Sequence, residues 1–220
     1  MTIPSDFRLS YGSVVLLAED VEILLSNAWF NDKLLTFMGE YLMNSIDDAS
    51  NSHFFRRIYV FTPPETEFVR HSITGQDIDM LFGEIGVNEA ELVAFIVNNN
   101  DDVTTVNGGS HWSLLVYSRE ADIFRHFDSF AGHNHGVAEI LARKLKRLVG
   151  QQRNQLKIEK ELCLQQTNSH DCGLHVAQFL AEMIEKRSVD VIPQVKKIEK
   201  TREWWAEKIL NFKQEGYGEI

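Results

Sequence analysis

Leu92-Val93-Ala94-Phe95-Ile96-Val97 constrains this chain more than any other stretch, because six consecutive side chains are apolar. Successive side chains on a strand point to opposite faces, so a strand with one wet face alternates apolar and polar residues. A run of strand length with no polar position predicts instead a strand covered on both faces. It should be central.

The neighbouring stretches supply partners for it. His111-Trp112-Ser113-Leu114-Leu115-Val116-Tyr117 reads as a strand opening on a histidine, and Ile123 to Asp128 as its hairpin partner across the short polar turn Ser118 to Asp122. His126 and Asp128 then share a face. Lys157 to Leu164 and Arg57 to Phe61 read as further strands, the second ending at Pro63-Pro64, which can start a helix at Glu65. Leu9 to Leu16 reads as a short extended or edge segment, with Asp20 capping a turn of helix after it. Asn31 or Asp32 can cap a helix whose Leu34, Leu35, Phe37, Met38, Tyr41 and Leu42 form an amphipathic stripe. Asp77 to Phe82 has a weaker helical pattern. Val137, Ile140, Leu141, Leu145 and Leu148 mark a helix whose basic side, Arg143, Lys144, Lys146 and Arg147, reads as a solvated face. Beyond Pro193 a last helix carries Trp204 and Trp205, which read as packing. Asp47 to Ser52 is a loop, and Asn98 to Gly109 is a polar loop long enough that compact domains keep such segments for function.

Gln165-Gln166-Thr167-Asn168-Ser169-His170-Asp171-Cys172-Gly173 places a cysteine where an apolar periodic helix begins, with Asn168, Ser169 and Asp171 as capping candidates. The positive end of the helix dipole favours a thiolate, and a protonated base nearby can lower a thiol pKa from about 8.5 toward roughly 3.5 to 7.5. Cys172 is therefore a candidate nucleophile; a small core hydrophobe is the other reading. His111 would take the thiol proton and later protonate a leaving amine, and Asp128 would orient the imidazole and stabilise its cation. The backbone N–H at the helix start and the side-chain amide of Gln166 are candidate donors to an oxyanion. His126, His170 and His175 compete as bases, and a zinc site from His170, Cys172 and His175 has no usual ligand spacing. Trp29, just before the cap, is either a staple-like packing contact or a substrate wall. Cys163, between Leu162 and Leu164, reads as a packed thiol.

At 44% apolar and 10% aromatic residues, 220 residues fit one domain with a real core, residues 1–8 and 213–220 being peripheral. The formal net charge of -10 argues against a nucleic-acid binder and for protein partners. No apolar run approaches the roughly 18 residues of a membrane span, and Met1 to Asp6 lacks a signal peptide's basic start and apolar centre. With only Cys163 and Cys172, the expectation is free thiols in a reducing cytosolic or nuclear compartment, in a monomer without cofactor or metal.

Four motifs then resemble, in order, those of the Ulp or sentrin-specific cysteine proteases, which remove ubiquitin-like modifiers. They are Trp29-Phe30-Asn31-Asp32, Gly109-Ser110-His111-Trp112-Ser113-Leu114, Phe127-Asp128-Ser129 and Gln165 to Gly173. The resemblance implies an α+β, papain-like fold with elements in permuted order and a central mixed sheet flanked by helices. It maps His111, Asp128 and Cys172 onto a triad and Gln166 onto the oxyanion hole. It maps Trp29 and Trp112 onto the walls of a narrow channel for a modifier's terminal Gly-Gly, with Asp32 beside them in the substrate-binding set. Flat indoles a side chain's width apart admit glycine and exclude anything with a Cβ. Leu9-Ser10-Tyr11 and Ser113-Leu114-Leu115-Val116-Tyr117 are similar to the small deneddylases, which act on the Nedd-type modifier of cullins. The expected activity is precursor processing and isopeptide cleavage after Gly-Gly. The alternatives are a Sumo- or ubiquitin-directed relative, or triad-based acyl transfer from acetyl-coenzyme A, whose enzymes usually carry glutamate in place of Asp128. Phe30 stands where leucine is usual, and His170 where an aromatic or small residue is common.

Overall fold

A computed structural model describes residues 2–45, 58–71, 75–102, 108–151 and 154–212. The chain opens with β1 (Arg8–Tyr11) and β2 (Val14–Leu17), then α1 (Ala18–Leu24), α2 (Asp32–Asn44), β3 (Ile58–Phe61), α3 (Pro63–His71) and α4 (Gly75–Phe82). It continues through β4 (Leu92–Asn98), β5 (Trp112–Ser118), β6 (Ile123–Phe127), α5 (His135–Leu148), β7 (Ile158–Glu161), α6 (Cys172–Lys186) and α7 (Arg202–Phe212). The expected loop at Asp47 to Ser52, the middle of the Asn98 to Gly109 loop and the tail at 213–220 lie outside the described residues.

The apolar run dictates the layering. Every residue of β4 is buried, and its side chains alternate between two cores. Ala94 and Ile96 face a core shared with α2 and α6, while Val93, Phe95 and Val97 face one shared with α4 and α5. The sheet order is β3-β4-β5-β6-β7. β3 pairs parallel with β4 and β6 with β7, whereas β4–β5 and β5–β6 are antiparallel, so the sheet is mixed, with helices on both faces. The fold is α+β, as expected, and β5 occupies its middle.

Several boundaries differ from the sequence reading. Leu9 to Leu16 is not one extended segment but parts of two strands that pair antiparallel about the turn at Gly12. Asp20 does not precede its helix; α1 starts at Ala18, so the buried Asp20 carboxylate reaches back to accept Leu17 N–H at 2.9 Å. It also accepts from Asn31 Nδ2 at 2.7 Å, tying the hairpin to the start of α2. Asn31 caps α2, accepting Leu34 N–H at 3.0 Å. The basic side of α5 is not wholly solvated: Lys144 Nζ donates to the Arg70 carbonyl at the end of α3, and Lys146 Nζ to that of Asn154.

One side chain joins the segments that surround the start of α6. Arg202, at the start of α7 and 8% exposed, uses all five of its N–H donors. Nε donates to Asp171 Oδ1 at 2.7 Å, Nη1 to the carbonyls of Ile23 and Ser26, and Nη2 to those of Ala28 and His170. Its guanidinium lies 4.6 Å from the Phe30 ring centroid. Asp171 consequently does not cap its own helix: its carboxylate bonds Arg202 and Asn168 Nδ2, while Asn168 Oδ1 accepts the N–H groups of His170 and Asp171. Phe30 packs so closely on Gly173 that a Cβ there would fall 2.8 Å from it, which is why the residue after Cys172 must be glycine. Arg202→Ala strips a largely buried carboxylate of its partner, and the expected cost is about 3 to 5 kcal/mol in urea-unfolding stability. Arg202→Lys, with a point charge in place of a fork, recovers less than half of it.

Candidate active site

The middle strand and its hairpin partner end side by side, and that places two ionisable groups together. His111 immediately precedes β5 and Asp128 immediately follows β6. His111 Nε2 and Asp128 Oδ1 are 2.6 Å apart, and both side chains are buried. Asp128 further accepts Phe130 N–H at 2.9 Å and Asn134 N–H at 2.8 Å. Burial alone would raise the Asp128 carboxyl, but hydrogen bonds from His111 and these two amides outweigh it and hold the group below the usual carboxylate range.

The Cys172 thiol lies beside the same imidazole and acts on its titration. With Nε2 taken by Asp128, Nδ1 is the ring nitrogen left for the thiol. Burial acts to lower the His111 pKa, yet the bonds and charges of Asp128 and Cys172 raise it from 6.5 to about 9. Cys172 is 1% exposed and is the first residue of the 15-residue α6, where the unpaired N–H groups of a helix start gather. His111 is thus held as an imidazolium at neutral pH, beside the thiol. The other thiol differs: burial pushes Cys163 up to about 11, where little thiolate forms at neutral pH.

His111 and Cys172 open into a cleft of ≈ 740 Å³ that Trp29, Asp32, Gly108, Gly109 and Trp112 also line. Trp29 is half exposed and its Nε1 donates to the Ser169 carbonyl at 2.8 Å, whereas Trp112 is buried with Nε1 on the Phe30 carbonyl at 2.8 Å. Each indole is pinned at its polar edge and lines the cleft. Asp32 sits at the first position of α2, its Oδ1 on Lys33 N–H. Gly109 has φ +80, and a Cβ there would fall 1.9 Å from Asn98 Oδ1, so only glycine lets this loop close on the cleft. Asn99 Oδ1 accepts the N–H groups of Ser110 and His111 and fixes the loop's return.

Gln166 stands apart from the cleft lining. Its Oε1 accepts Ser129 Oγ–H at 2.8 Å and its Nε2 donates to the Asn168 carbonyl at 2.7 Å. The rival bases do not line the cleft. His126 Nε2 meets Ser113 Oγ at 3.0 Å, its Nδ1 faces His135 Nδ1 at 3.3 Å, and burial drives its pKa down to about 4. His175 is buried, which lowers its pKa, and His170 Nε2 lies 4.0 Å from Asp171 Oδ1. Among the described residues no group of His, Cys, Asp and Glu is arranged to hold a metal ion.

Sequence reasoning missed Asn134, Asn99 and Arg202. Asn134 Nδ2 donates to the His111 carbonyl and to Ser113 Oγ while its N–H serves Asp128, so one buried residue fixes both partners of the dyad. An asparagine in a Gly- and His-rich loop carries no periodic signal, and its role appears only when the loop folds back.

Residues 28–213 match the Ulp1 protease family, C-terminal catalytic domain. Sentrin-specific protease 8 of Mus musculus is 32% identical over 168 residues, spanning 76% of this chain and 73% of that one. NEDD8-specific protease 1 of Arabidopsis thaliana is 30% identical over 175 residues, spanning 79% and 73%. In fold the chain is similar to the SUMO protease Ulp1 with its catalytic cysteine oxidised to a sulfenic acid, at a TM-score of 0.71 and 15% identity over 93% of this chain and 88% of that one. The Ulp1 protease domain in complex with Smt3, the yeast ortholog of SUMO, superposes at a TM-score of 0.67 and 15% identity, covering 93% and 87%. With a buried His111–Asp128 pair and Cys172 gathered at a tryptophan-lined cleft, the chain belongs to the Ulp1 protease family and is a cysteine protease.

Proposed function

We propose that this protease cleaves after the C-terminal Gly-Gly of NEDD8, maturing its precursor and releasing it from cullin-type conjugates, with Cys172, His111, Asp128 and Gln166 as the catalytic set. The observation that carries the reading is the buried His111–Asp128 pair beside Cys172, with His111 and Cys172 lining one cleft together with Trp29 and Trp112. The names of the relatives favour NEDD8 over SUMO or ubiquitin. The chain acts as one catalytic domain and a monomer in the cytosol or nucleus; no helix among the described residues is long and apolar enough to cross a membrane.

The modifier's last residues thread between the indoles, Asp32 contributes at the channel mouth, and the Cys172 thiolate attacks the terminal glycine carbonyl. The carbon–sulfur bond forms as the carbon–nitrogen bond breaks, and His111 Nδ1 gives its proton to the departing amine. Water then adds to the thioester carbon, yielding its proton to His111, and the thiolate leaves. The amide of Gln166 carries two hydrogens and Asn168 takes one, so the second serves the oxyanion together with the N–H groups at the start of α6.

Vinyl sulfone probes of NEDD8, SUMO and ubiquitin test this directly. The wild type and Cys163→Ala are expected to be captured fastest by the NEDD8 probe and Cys172→Ala by none; equal labelling of the two variants removes the nucleophile assignment. Gln166→Ala is expected to lose about a hundredfold in kcat with modifier affinity kept, and a variant as fast as the wild type removes the oxyanion role.

The raised value of His111 gives a pH dependence. Its folded pKa, about 9, lies above the ordinary 6.5, so the stability contributed by the ion pair is complete below pH 6.5 and declines as pH rises through 9. Conjugate cleavage is expected to fall over the same window, because the proton owed to the leaving amine is lost. In Asp128→Asn the alkaline limb moves toward 6.5; a limb that stays in place rejects the assigned proton donor.

A further inference from the structure

The cleft accounts for the acyl side of the scissile bond but leaves open where the departing amine sits. It is lined by Trp29, Trp112, Gly109, His111 and Cys172. Whatever leaves must stand beside the imidazolium that protonates it, so the residues that surround His111 outside the cleft lining are its candidate contacts. Two rings touch His111 from outside the cleft lining. Phe130 has its ring centroid 5.9 Å from that of His111, and His133 lies edge-on at 5.5 Å, the two being 5.9 Å from each other.

Both rings are held outward at an energetic cost. Phe130 is 52% exposed although it is a large apolar side chain, and His133 is exposed too. The loop that carries them is rigidly tied: Phe130 N–H bonds Asp128, Ala131 N–H bonds Gln165 Oε1 at 2.9 Å, and Asn134 bonds Asp128 and His111. Ala131 is held at φ 51, in the left-handed region that side chains rarely adopt. A phenylalanine kept in water by a strained, hydrogen-bonded turn next to a general acid has a surface to offer.

We propose that Phe130 and His133 form the leaving-group subsite, packing the aliphatic stem of the isopeptide-linked lysine so that its ε-nitrogen meets His111 Nδ1. A lysine stem is four methylenes ending in an amine, and a ring face bordering the imidazole matches that chemistry. Cleavage transfers the His111 proton to the ε-nitrogen as its bond to the glycine carbonyl breaks, so the stem is held only until the thioester forms. This inference rests on the proposed isopeptidase reading and adds to it the residues that contact the conjugated partner.

The test compares two reactions of one protein. NEDD8 joined by an isopeptide bond to the lysine of a short acetylated peptide has a leaving group with a stem, whereas the NEDD8 vinyl sulfone probe has none. Phe130→Ala is expected to lower kcat/KM on the conjugate about tenfold, the lower end of what apolar substrate contacts discriminate, with Phe130→Leu intermediate, and His133→Ala to add a smaller loss. The fall in conjugate cleavage should exceed any fall in capture at least about fivefold, because a variant that merely disturbed His111 would slow both alike. Ile140→Ala, an exposed apolar residue on the outer side of α5, changes neither rate. Equal losses in both reactions, or none in either, overturn the subsite; failure of the wild type to be captured by the NEDD8 probe at all overturns the underlying reading instead.

Discussion

A carboxylate in a protein interior is tolerable only when its oxygens are supplied with donors, and Asp128 imposes that demand on everything near it. His111 supplies one hydrogen bond, and the loop after β6 turns back to supply the amides of Phe130 and Asn134. Asn134, drawn in by its backbone, then bonds the His111 carbonyl and Ser113, and Gln165 bonds the Asp128 carbonyl from the segment leading to α6. The satisfaction of one buried charge therefore aligns the ends of two strands, a loop and the approach to the cysteine. The charge itself appears in the chemistry as the raised affinity of His111 for its proton.

The opposite side of the cleft is organised by the opposite charge. Arg202 collects the carbonyls of the Ser26–Ala28 segment and of His170 and pairs with Asp171, so the residues flanking Trp29 and Cys172 share one anchor on α7. Phe30 lies between that guanidinium and Gly173, filling a place where the family usually has leucine. The distance between the tryptophan wall and the thiol is thus set by a planar cation bonded at every donor. A flexible ammonium could not span the same five acceptors.

Two histidines on the same hairpin show how environment assigns function. His111 and His126 are both buried, and burial pushes both toward neutrality. Beside a carboxylate and a thiol, His111 moves up to about 9; beside a hydroxyl and a second imidazole, His126 moves down to about 4. Residue type and alternation put either within reach of Asp128. Only the position of His111 at the strand's end lets one nitrogen face a carboxylate while the other faces a helix start.

The layering was legible in six apolar residues, since a strand without polar positions has no face to give to water. The cysteine at the head of a periodic helix was legible as well, because helix starts and apolar stripes are local patterns, and the four motifs carried the family. Local patterns misplaced one cap: Asp171 looks like a residue that caps its own helix, but Arg202 and Asn168 claim its carboxylate, whereas Asp20 caps α1 from within its first turn. They also could not reveal Asn134 or Arg202, whose partners are as many as 179 residues away in the chain. What the sequence by itself determined was which groups exist and which face of each element they share. Which histidine acquired the proton, and which phenylalanine was held in water beside it, was decided by the tertiary structure, because electrostatic energy depends on distance and burial, and neither is a property of order along the chain.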